Sequence, residues 1–390
     1  MTFFLKATYP IFFLISLAFP RKESIWVFGN QKRYFDNTRY FFEYVSDTSE
    51  IISAYWLANT LDELNEVSQL GYQAVLKNSF KGYWIASRAG FSFICNGFSD
   101  VSRLLALKSK VISFWHGTPI KKIYLDSKQD LQKLGSNKFS IFLSSLILRF
   151  LNSNINFYYA SNEFERVKVT AAAAIKLEKS LALGVPRFDF MRISTPSDKI
   201  LELTKNKNVI LFSPTWRKNE AWSERHVITA AEYAELKNLL ASSNSLFIVK
   251  LHPLTKKERF LSMGLLPSKN IIYSDDYGIN DINSLYSVSD LMITDLSSTI
   301  FDFCIFNKPI LIFMPDYKNY IEGERGVYDE FVRLLEKNSL VSWKSLMEAI
   351  SSNSYLSNEL IAEVSLESSR KQNVCQLILS DIATRFNTQV

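Results

Sequence analysis

Short apolar runs alternate with amphipathic stretches along most of the chain. The apolar runs predict strands at residues 25–28, 51–57, 73–76, 91–95, 110–114, 157–160, 209–212, 246–250, 270–273 and 291–294, with another beginning at Pro309. Between them, helical spacing predicts helices at residues 36–45, 61–70, 82–88, 163–177, 230–240, 281–288 and 300–307, and further helices after residue 328. Strands that alternate with helices indicate parallel sheets that are covered on both faces.

The chain has 390 residues, which is enough for two domains that each bury a core of their own. A polar stretch at residues 194–208 interrupts the alternation and marks the expected boundary. We therefore predict an α/β protein with an N-terminal apolar segment (residues 1–23), a first Rossmann-like domain (residues 24–195) and a second Rossmann-like domain (residues 196–390).

The turn after the predicted strand at residues 291–294 is the first candidate for chemistry. It contains Asp295, Ser297, Ser298 and Thr299 and leads directly into a predicted helix. Ligands of open parallel sheets bind beyond the carboxyl ends of the strands, and the free N–H groups at a helix start suit a phosphate. We interpret this turn as a phosphate-binding turn; the alternative is that Asp295 or Ser297 only caps the helix.

Two of the three histidines directly follow predicted strands. His116 lies in the run WHGTP at residues 115–119, with Lys121 and Lys122 just beyond it, and His252 lies in the run LHP. Acid–base chemistry on an anionic substrate would be placed at such strand ends, although a lone histidine more often has a structural role. Because each predicted domain carries one of these histidines, we expect the two domains to face each other across a cleft.

The loop after the predicted strand at residues 209–212 adds a cationic group. It reads SPTWR and ends in Arg217. A guanidinium can hold a phosphate through two parallel hydrogen bonds. We therefore expect Arg217 to contact a phosphate of the substrate.

The positive charge of the chain is concentrated in one stretch. The formal net charge is +6, and residues 103–149 hold nine Lys or Arg residues but only Asp126 and Asp130 as acids. Lys128, Lys133 and Lys138 lead into an apolar run at residues 139–151 that is too short to span a bilayer. This arrangement fits a helix lying on an anionic membrane surface, and equally a helix buried between the domains.

Two further features limit the compartment and the cofactors. Residues 2–19 are apolar but have no basic residues ahead of them, so we expect a membrane-touching or core-packed helix instead of a signal peptide. Cys95, Cys304 and Cys375 are unrelated in spacing, as is typical of buried thiols in a reducing compartment. No cluster has the spacing of metal ligands, so we predict no structural metal and leave a catalytic Mg²⁺ open.

Several motifs in a fixed order carry a family resemblance. The runs WVFGN, FDNTRYFFEYV, WHGTPIKKIYLD, GVPRFDFM, ILFSPTWR, VKLHPL, SDLMITDLSSTIFDFCIFNKPILIFMPDYKNY and ERGVYDEF resemble the CDP-glycerol glycerophosphotransferase family of teichoic acid and capsule synthesis. The resemblance implies a GT-B-like pair of Rossmann-type domains and peripheral attachment to the inner face of the membrane. It also implies transfer of glycerol phosphate from CDP-glycerol to a lipid-linked acceptor, with release of CMP.

The resemblance also implies roles for individual residues. His116 matches the family's His-Gly-Thr-Pro histidine and would be the base, and His252 would act on the diphosphate of the donor. The residues expected to hold or shape the phosphate site are Thr215, Arg217, Thr294, Asp295, Ser297, Ser298 and Thr299. Asp302 would either contact the donor or orient His252, and Lys121 and Arg325 are further substrate-binding candidates. The run ERGVYDEF departs from the family's usual Phe-Tyr-Phe/Leu-Asp pattern after Arg-Gly.

Other functions remain as alternatives. A GT-B glycosyltransferase that uses a nucleotide sugar would share the fold and the phosphate-binding turn, but would release a nucleoside diphosphate. A nucleic-acid-binding module is disfavoured because the basic stretch lacks interleaved aromatic residues. The resemblance implies CDP-glycerol or CDP-ribitol as the donor, and a lipid-linked glycan or polyol phosphate as the acceptor.

Overall fold

The computed structural model describes residues 14, 17–134, 137–193, 195–217, 226–279, 281–317, 326–353 and 371–390. The chain divides into two compact units. Unit 1 comprises Met1–Thr118, Tyr124–Phe190 and Glu367–Val390, and unit 2 comprises Pro119–Ile123 and Met191–Leu366. Each unit contains one parallel sheet, so the prediction of two Rossmann-type α/β domains is confirmed.

Unit 1 is built on a seven-stranded sheet in the order β3-β2-β1-β4-β5-β6-β7. All of its strand pairs are parallel. The strands are β1 Lys22–Phe28, β2 Ser53–Ala58, β3 Ala74–Leu76, β4 Ala89–Ile94, β5 Lys110–Ser113, β6 Ile155–Ala160 and β7 Ser180–Ala182. The helices are Asp36–Thr48, Leu61–Gln69, Phe80–Arg88, Arg103–Ala106, Lys128–Leu134, Lys138–Ser153, Glu163–Ala173, Arg187–Ile193, which crosses into unit 2, and Val374–Phe386.

Alternating side chains of β1 explain why this sheet is covered on both faces. Trp26 and Phe28 belong to one apolar cluster, and Val27 between them belongs to another. Since successive side chains of a strand point to opposite faces, each face of the sheet packs against its own layer of helices. This is the doubly covered sheet that the strand and helix alternation predicted.

The last helix does not belong to the domain that was predicted for it, which comprised residues 196–390. Helix Val374–Phe386 belongs to unit 1, where Val374, Cys375, Ile378 and Ile382 lie in the same cluster as Trp26. The Tyr159 hydroxyl also donates to a carboxylate oxygen of Asp381 at 2.6 Å. The apolar stripe of helix Val374–Phe386 completes one face of the first sheet. A division of the sequence into two consecutive segments does not reveal this contact.

Unit 2 is built on a six-stranded parallel sheet in the order β10-β9-β8-β11-β12-β13. Its strands are β8 Asn208–Ser213, β9 Ser245–Val249, β10 Ile271–Tyr273, β11 Leu291–Thr294, β12 Ile310–Phe313 and β13 Ser339–Leu340. Its helices are Asp198–Thr204, Ala230–Ser242, Lys257–Ser262, Asn283–Tyr286, Thr299–Cys304, Asp329–Asn338 and Trp343–Ser352. The strand order reverses between β8 and β11, and such a reversal is where ligands of doubly wound folds bind.

A short piece of the WHGTPIKK motif belongs to unit 2. Pro119–Ile123 forms an antiparallel bridge from Lys121 to Val327. The Lys122 N–H donates to the Gly326 carbonyl at 2.9 Å, and the Tyr328 N–H donates to the Ile120 carbonyl at 3.0 Å. Two motifs that lie far apart in the sequence are therefore joined by backbone pairing.

Helix Lys138–Ser153 carries an apolar stripe that faces solvent. Six large side chains on it are exposed by 44–74%: Phe139, Phe142, Leu143, Leu146, Ile147 and Phe150. Their spacing of three and four residues places them on one face. Asn152 is the one buried residue of this helix, so the apolar stripe is not part of the core of unit 1.

The described part of the chain contains no helix that is both long enough and apolar enough to cross a bilayer. The predicted N-terminal apolar helix falls mostly outside the described residues. The three cysteines are buried and free of disulfide bonds.

Candidate active site

In unit 2, the loops after β8 and β11 meet at the point where the strand order reverses. The Thr294 hydroxyl donates to the Ser213 carbonyl at 2.6 Å, so the two strand ends are joined side by side. Asp295 follows directly, and its side chain is only 2% exposed. The candidate phosphate site therefore rests on a buried carboxylate.

Both oxygens of the Asp295 carboxylate are used by the neighbouring loop. One accepts hydrogen bonds from the Thr215 N–H at 2.9 Å and from the Thr215 hydroxyl. The other forms an ion pair with Arg217 at 2.7 Å. Burial of a carboxylate is tolerated when charge and hydrogen bonds compensate it, as these contacts do.

Arg217 is shared between two buried carboxylates. Its Nε donates to one oxygen of Asp316 at 2.9 Å and its Nη2 donates to the other at 3.2 Å. Its Nη1 donates to the Thr215 carbonyl at 3.1 Å. Burial by itself would lower the pKa of Arg217, but Asp295 and Asp316 outweigh burial and raise the pKa, so the guanidinium stays charged.

These contacts change the role that the sequence suggested for Arg217. The residue was expected to hold a phosphate, but its guanidinium is 2% exposed and its fork is occupied by Asp316 and Asp295. We infer that Arg217 positions the loop and the carboxylate of Asp295. Asp316 is a site residue that is recognisable in the sequence only as part of a motif, because its pairing with Arg217 spans 99 residues.

The turn after Asp295 presents three half-buried hydroxyl groups. The Ser297 N–H donates to the Asp295 carbonyl at 2.9 Å, and the Thr299 hydroxyl donates to the Ser297 hydroxyl at 3.0 Å. Helix Thr299–Cys304 begins here, one residue before the predicted start, and it is shorter than predicted. Asp302 lies half-buried on this helix.

His252 follows β9 by three residues and is exposed. The Leu254 N–H donates to its Nδ1 at 3.1 Å, so in the neutral imidazole the proton resides on Nε2. Its ring lies 6.5 Å from that of Trp216, in the loop that carries Thr215 and Arg217. His252 is thus a hydrogen-bond donor beside the candidate phosphate site of the same unit.

Lys250, at the end of β9, is a residue that the sequence analysis did not select. Its side chain is buried, and its ammonium donates to Asp275 at 2.9 Å and to the Leu251 carbonyl at 3.3 Å. The contact with the Leu251 carbonyl ties it to the backbone that leads into His252. Only its position in the run VKLHPL could have pointed to it.

In unit 1, His116 follows β5 and is exposed. The preceding Trp115 has φ of +58°, in the left-handed region, and its carbonyl accepts a hydrogen bond from Asn37 Nδ2 at 2.9 Å. The rings of Trp115 and His116 lie 4.1 Å apart. A strained backbone that is held by a buried side chain is typical of functional sites.

Two buried residues support Asn37. The Asp36 carboxylate accepts from the Asn37 N–H at 2.8 Å and pairs with Arg187 at 3.2 Å, and the Arg187 N–H donates to Asn37 Oδ1 at 3.2 Å. Asp36 also has a left-handed backbone, with φ of +68°. In the sequence, Asp36 is recognisable only as a helix start and Arg187 only as part of GVPRFDFM, since their contact spans 151 residues.

The surroundings of His116 favour the neutral form of its imidazole. The pKa of His116 is lowered from its ordinary value to about 4, mainly because of burial by the surrounding atoms. The positive charges of Lys32 and Arg187 also lower the pKa, whereas Asp36 and a hydrogen bond to the Cys95 backbone raise it. His116 is also partly exposed to solvent, which favours the charged form and opposes the lowering of the pKa. A neutral imidazole at neutral pH can accept a proton.

Thr118 anchors the other end of the histidine loop. It is buried and lies 2.9 Å from the Ser161 hydroxyl, accepts from Asn162 Nδ2 at 2.7 Å and donates to Glu165 at 3.1 Å. Glu165 also accepts from the Tyr158 hydroxyl at 2.6 Å, and burial raises the pKa of this carboxyl while Ser161 and Tyr158 oppose the rise. The loop that carries His116 is therefore fixed on both sides.

The remaining candidates fall outside these two clusters. Lys121 is half-buried and bridges to Val327 in unit 2, and Arg325 lies outside the described residues. Within the described ranges, no group of three His, Cys, Asp or Glu side chains could hold a metal ion. The site that can be described therefore consists of histidines, hydroxyl groups and buried ion pairs.

Comparison with known proteins confirms the resemblance seen in the motifs. The family model for CDP-glycerol:poly(glycerophosphate) glycerophosphotransferases matches residues 11–377. A teichoic acid poly(glycerol phosphate) polymerase of Bacillus spizizenii is 27% identical over 357 residues, which cover 88% of this chain and 86% of that protein. A teichoic acid glycerol-phosphate transferase of Staphylococcus aureus is 23% identical over 363 residues, which cover 89% of this chain and 90% of that protein.

A solved structure shares the fold. The wall teichoic acid polymerase TagF superposes with a TM-score of 0.71 and covers 98% of this chain and 94% of that chain. The sequence identity over this superposition is 20%, so the match shows the architecture alone.

Replacement of Arg217 tests its positioning role. We expect Arg217→Ala to lower the free energy of unfolding by about 3–5 kcal/mol, because it leaves two buried carboxylates without their partner. Lys257→Ala, which breaks a partly exposed pair with Asp276 in the same unit, should cost less than about 1 kcal/mol. Denaturant unfolding measures both. Unchanged stability of Arg217→Ala together with weaker donor binding would instead support direct contact with a phosphate.

The protonation of His116 can be measured directly. We expect the imidazole to stay neutral down to a pH well below 6.5, the ordinary pKa of histidine. The chain has three histidines, so a pH titration of their ring signals by NMR, assigned with a His116→Gln variant, follows each one separately. A His116 signal that titrates near 6.5 or above would contradict the lowered pKa.

Proposed function

We propose that this chain, which belongs to the CDP-glycerol:poly(glycerophosphate) glycerophosphotransferase family, transfers glycerol phosphate from CDP-glycerol to a hydroxyl group of a lipid-linked acceptor and releases CMP. The observation that carries the proposal is the pair of exposed histidines at strand ends, one neutral and held in a fixed loop, the other beside a phosphate-binding turn built on Asp295. The relatives with named products act in teichoic acid synthesis, and we propose that pathway class for this chain.

The transfer needs a base for the attacking hydroxyl group. His116 is neutral and accessible, and Trp115 and Thr118 hold its loop from both sides. As the acceptor oxygen forms its bond to the β-phosphorus of the donor, His116 takes the hydroxyl proton. General base catalysis of this kind contributes roughly 10²–10⁴-fold to turnover.

The leaving group needs donors for its developing charge. The bond that breaks joins the β-phosphorus to the oxygen of CMP, and the negative charge moves onto that oxygen. The Nε2–H of His252 is the donor that we assign to it, because Nδ1 is already occupied by the Leu254 N–H. The hydroxyl groups of Ser297, Ser298 and Thr299 and the N–H groups of their turn would hold the remaining phosphate oxygens.

Unit 2 would therefore be the donor-binding unit and unit 1 the acceptor-binding unit. Asp295 cannot itself face a phosphate favourably, but its two oxygens fix Thr215 and Arg217, which form the other wall of the turn. Any catalytic Mg²⁺ would have to be held mainly by the substrate phosphates, since the described side chains form no cluster for it.

The exposed face of helix Lys138–Ser153 gives the enzyme a way to reach a lipid-linked acceptor. We propose that this face lies in the boundary region of an anionic membrane on the cytoplasmic side. Lys128, Lys138 and Arg149 are exposed on or near the same helix and would contact anionic headgroups. The side chain of Lys133, a further predicted contact, is not among those described.

A donor assay tests the proposed reaction. We expect incubation with CDP-glycerol and a lipid-linked acceptor to yield CMP and an acceptor that is heavier by one or more glycerol phosphate units, as read by mass spectrometry. CDP-ribitol in a parallel reaction determines the polyol, because ribitol-phosphate polymerases are also among the relatives. Release of a nucleoside diphosphate from a nucleotide sugar would instead identify a glycosyltransferase.

Substitution of the histidines separates their roles. His116→Ala should keep donor affinity while turnover falls by roughly 10²–10⁴, the usual contribution of a general base. His252→Ala should weaken the binding of CDP-glycerol and also lower turnover, because the Nε2–H of His252 is assigned to the diphosphate of this substrate.

The third histidine provides the control for these variants. His226 is buried and its imidazole Nε2 lies 3.7 Å from the Asp316 carboxylate, so His226→Ala leaves a cavity and should lower the melting temperature and the activity together. Calorimetric donor titration, turnover and melting temperature are measured on all three variants. A His116→Ala protein with normal melting and wild-type turnover would disprove its role as the base.

Membrane docking has its own test. Replacement of Phe142, Leu146 and Phe150 by serine should abolish co-sedimentation with vesicles that contain anionic phospholipid, because it removes the apolar part of the exposed face. The control replaces Leu61 and Leu70, which are 63% and 52% exposed elsewhere in unit 1, by serine. Equal vesicle binding by both variants would place the lipid contact elsewhere.

A further inference from the structure

His116 lies between two backbone positions with positive φ. Gly117 follows it with φ of +142°, which glycine adopts readily, but Trp115 precedes it with φ of +58°. Ten non-glycine residues in the described ranges have positive φ, and eight of them are Asn, Asp or Ala. The two others are Trp115 and Tyr124, and a bulky side chain in this region strains the backbone.

The left-handed backbone of Trp115 places its indole ring against the imidazole of His116. The centroids of the two rings lie 4.1 Å apart, with an angle of 33° between their planes. Neighbouring side chains of an extended strand point to opposite sides, so continuation of β5 in an extended form would separate these two rings. The strain at Trp115 therefore has a definite structural result, which is the contact between the two rings.

The indole is itself held in a fixed position. The Trp115 carbonyl accepts from Asn37 Nδ2 at 2.9 Å, and the residue is only 8% exposed. The Tyr124 ring lies 5.1 Å from the indole, and burial raises the pKa of its phenol, so this ring is uncharged. The two bulky residues with positive φ are thus packed against each other, and one of them presents an ordered aromatic face to His116.

An aromatic face distinguishes between the two protonation states of the imidazole. The face of an indole carries the negative part of the ring quadrupole and attracts a cation within about 6 Å of the ring centroid. Among the charged groups around His116, Lys32 and Arg187 disfavour the imidazolium, whereas Asp36 favours it. The indole of Trp115 acts in the same direction as Asp36, because it attracts the imidazolium more strongly than the neutral ring.

We propose that Trp115 is a positioning residue for the transfer reaction: its indole face orients the imidazole of His116 and stabilises the imidazolium that forms when His116 takes the acceptor proton. The inference rests on the proposed function, which assigns His116 as the base.

The contact with Trp115 acts on the step in which the charge develops. The O–H bond of the acceptor breaks, its proton goes to the imidazole, and its electron pair forms the bond to the β-phosphorus. CMP leaves with the electron pair of the broken P–O bond, and the imidazolium later releases the proton to solvent. Because the positive charge on His116 develops during this step, the indole stabilises the transition state more than the ground state.

This role explains why a residue poorly suited to a left-handed backbone occupies position 115. Glycine would relieve the strain but would remove the aromatic face, and tryptophan attracts a cation more strongly than tyrosine or phenylalanine does. A cation–π contact corresponds to roughly two- to thirtyfold in the ratio of imidazolium to neutral imidazole. The same factor is expected in turnover.

Fluorinated tryptophans at position 115 test the contact while the shape of the side chain is kept. Fluorine withdraws electron density from the indole face, so the pKa of His116, followed by NMR, should fall stepwise from tryptophan to mono-, di- and trifluorotryptophan. Turnover should fall in parallel by roughly two- to thirtyfold in total, with KM for CDP-glycerol unchanged. Trp56 is buried in the same unit, and the same series at that position should change none of these values.

The fluorinated series separates this role from simple shielding of His116. Fluorinated side chains exclude water from the imidazole as tryptophan does, so a shielding role predicts the same pKa and turnover throughout the series. Trp115→Phe, which keeps an aromatic face, should also retain more turnover than Trp115→Leu.

The NMR measurement needs no substrate, so it also separates this inference from the proposed function. A pKa of His116 that is unchanged or rises along the fluorinated series would overturn the role of Trp115. A pKa that falls along the series, in a protein that transfers no glycerol phosphate, would overturn the proposed function and leave the contact between the two rings established.

Discussion

The buried ion pair between Asp295 and Arg217 is the interaction on which the candidate donor site depends. The turn at Ser297 can hold its shape only if the loops after β8 and β11 stay together, and Asp295 joins them through Thr215 and Arg217. Neither charge is stable in the interior alone, and Asp316 supplies the second carboxylate that fills the guanidinium fork. The hydroxyl groups that would meet a phosphate are thus positioned by charges that never contact it.

Unit 1 also holds its strand-end loops in place through buried charged residues. Asp100 fixes the loops after β1 and β4, and the pair of Asp36 and Arg187 supports Asn37, which holds the strained Trp115 beside His116. In both units, a buried carboxylate at the carboxyl edge of the sheet joins the loops that follow two neighbouring strands, Asp100 in unit 1 and Asp295 in unit 2. Reactive groups can remain accessible because the groups that position them are buried.

Much of this could be predicted from the sequence, because the relevant patterns are local. Strands, helices and the polar turns that follow strands are read from neighbouring residues, and His116 and His252 were found by their place after apolar runs. Two buried ion pairs could not be predicted, because their partners are 99 and 151 residues apart in the sequence: Arg217 with Asp316, and Arg187 with Asp36. The same holds for the last helix in unit 1 and for the solvent-facing stripe of helix Lys138–Ser153, which hydropathy alone could not distinguish from a buried helix.

The central claim is that the phosphorus next to the polyol moves to the acceptor while the nucleotide leaves as a monophosphate. CDP-glycerol labelled in its β-phosphate, incubated with the wild-type protein and a lipid-linked acceptor, follows that atom directly. Our account predicts that the label appears in the lipid-linked product and that the released CMP is unlabelled. Label that stays with the nucleotide as a diphosphate, or that is released as free glycerol phosphate with no labelled acceptor, would contradict it.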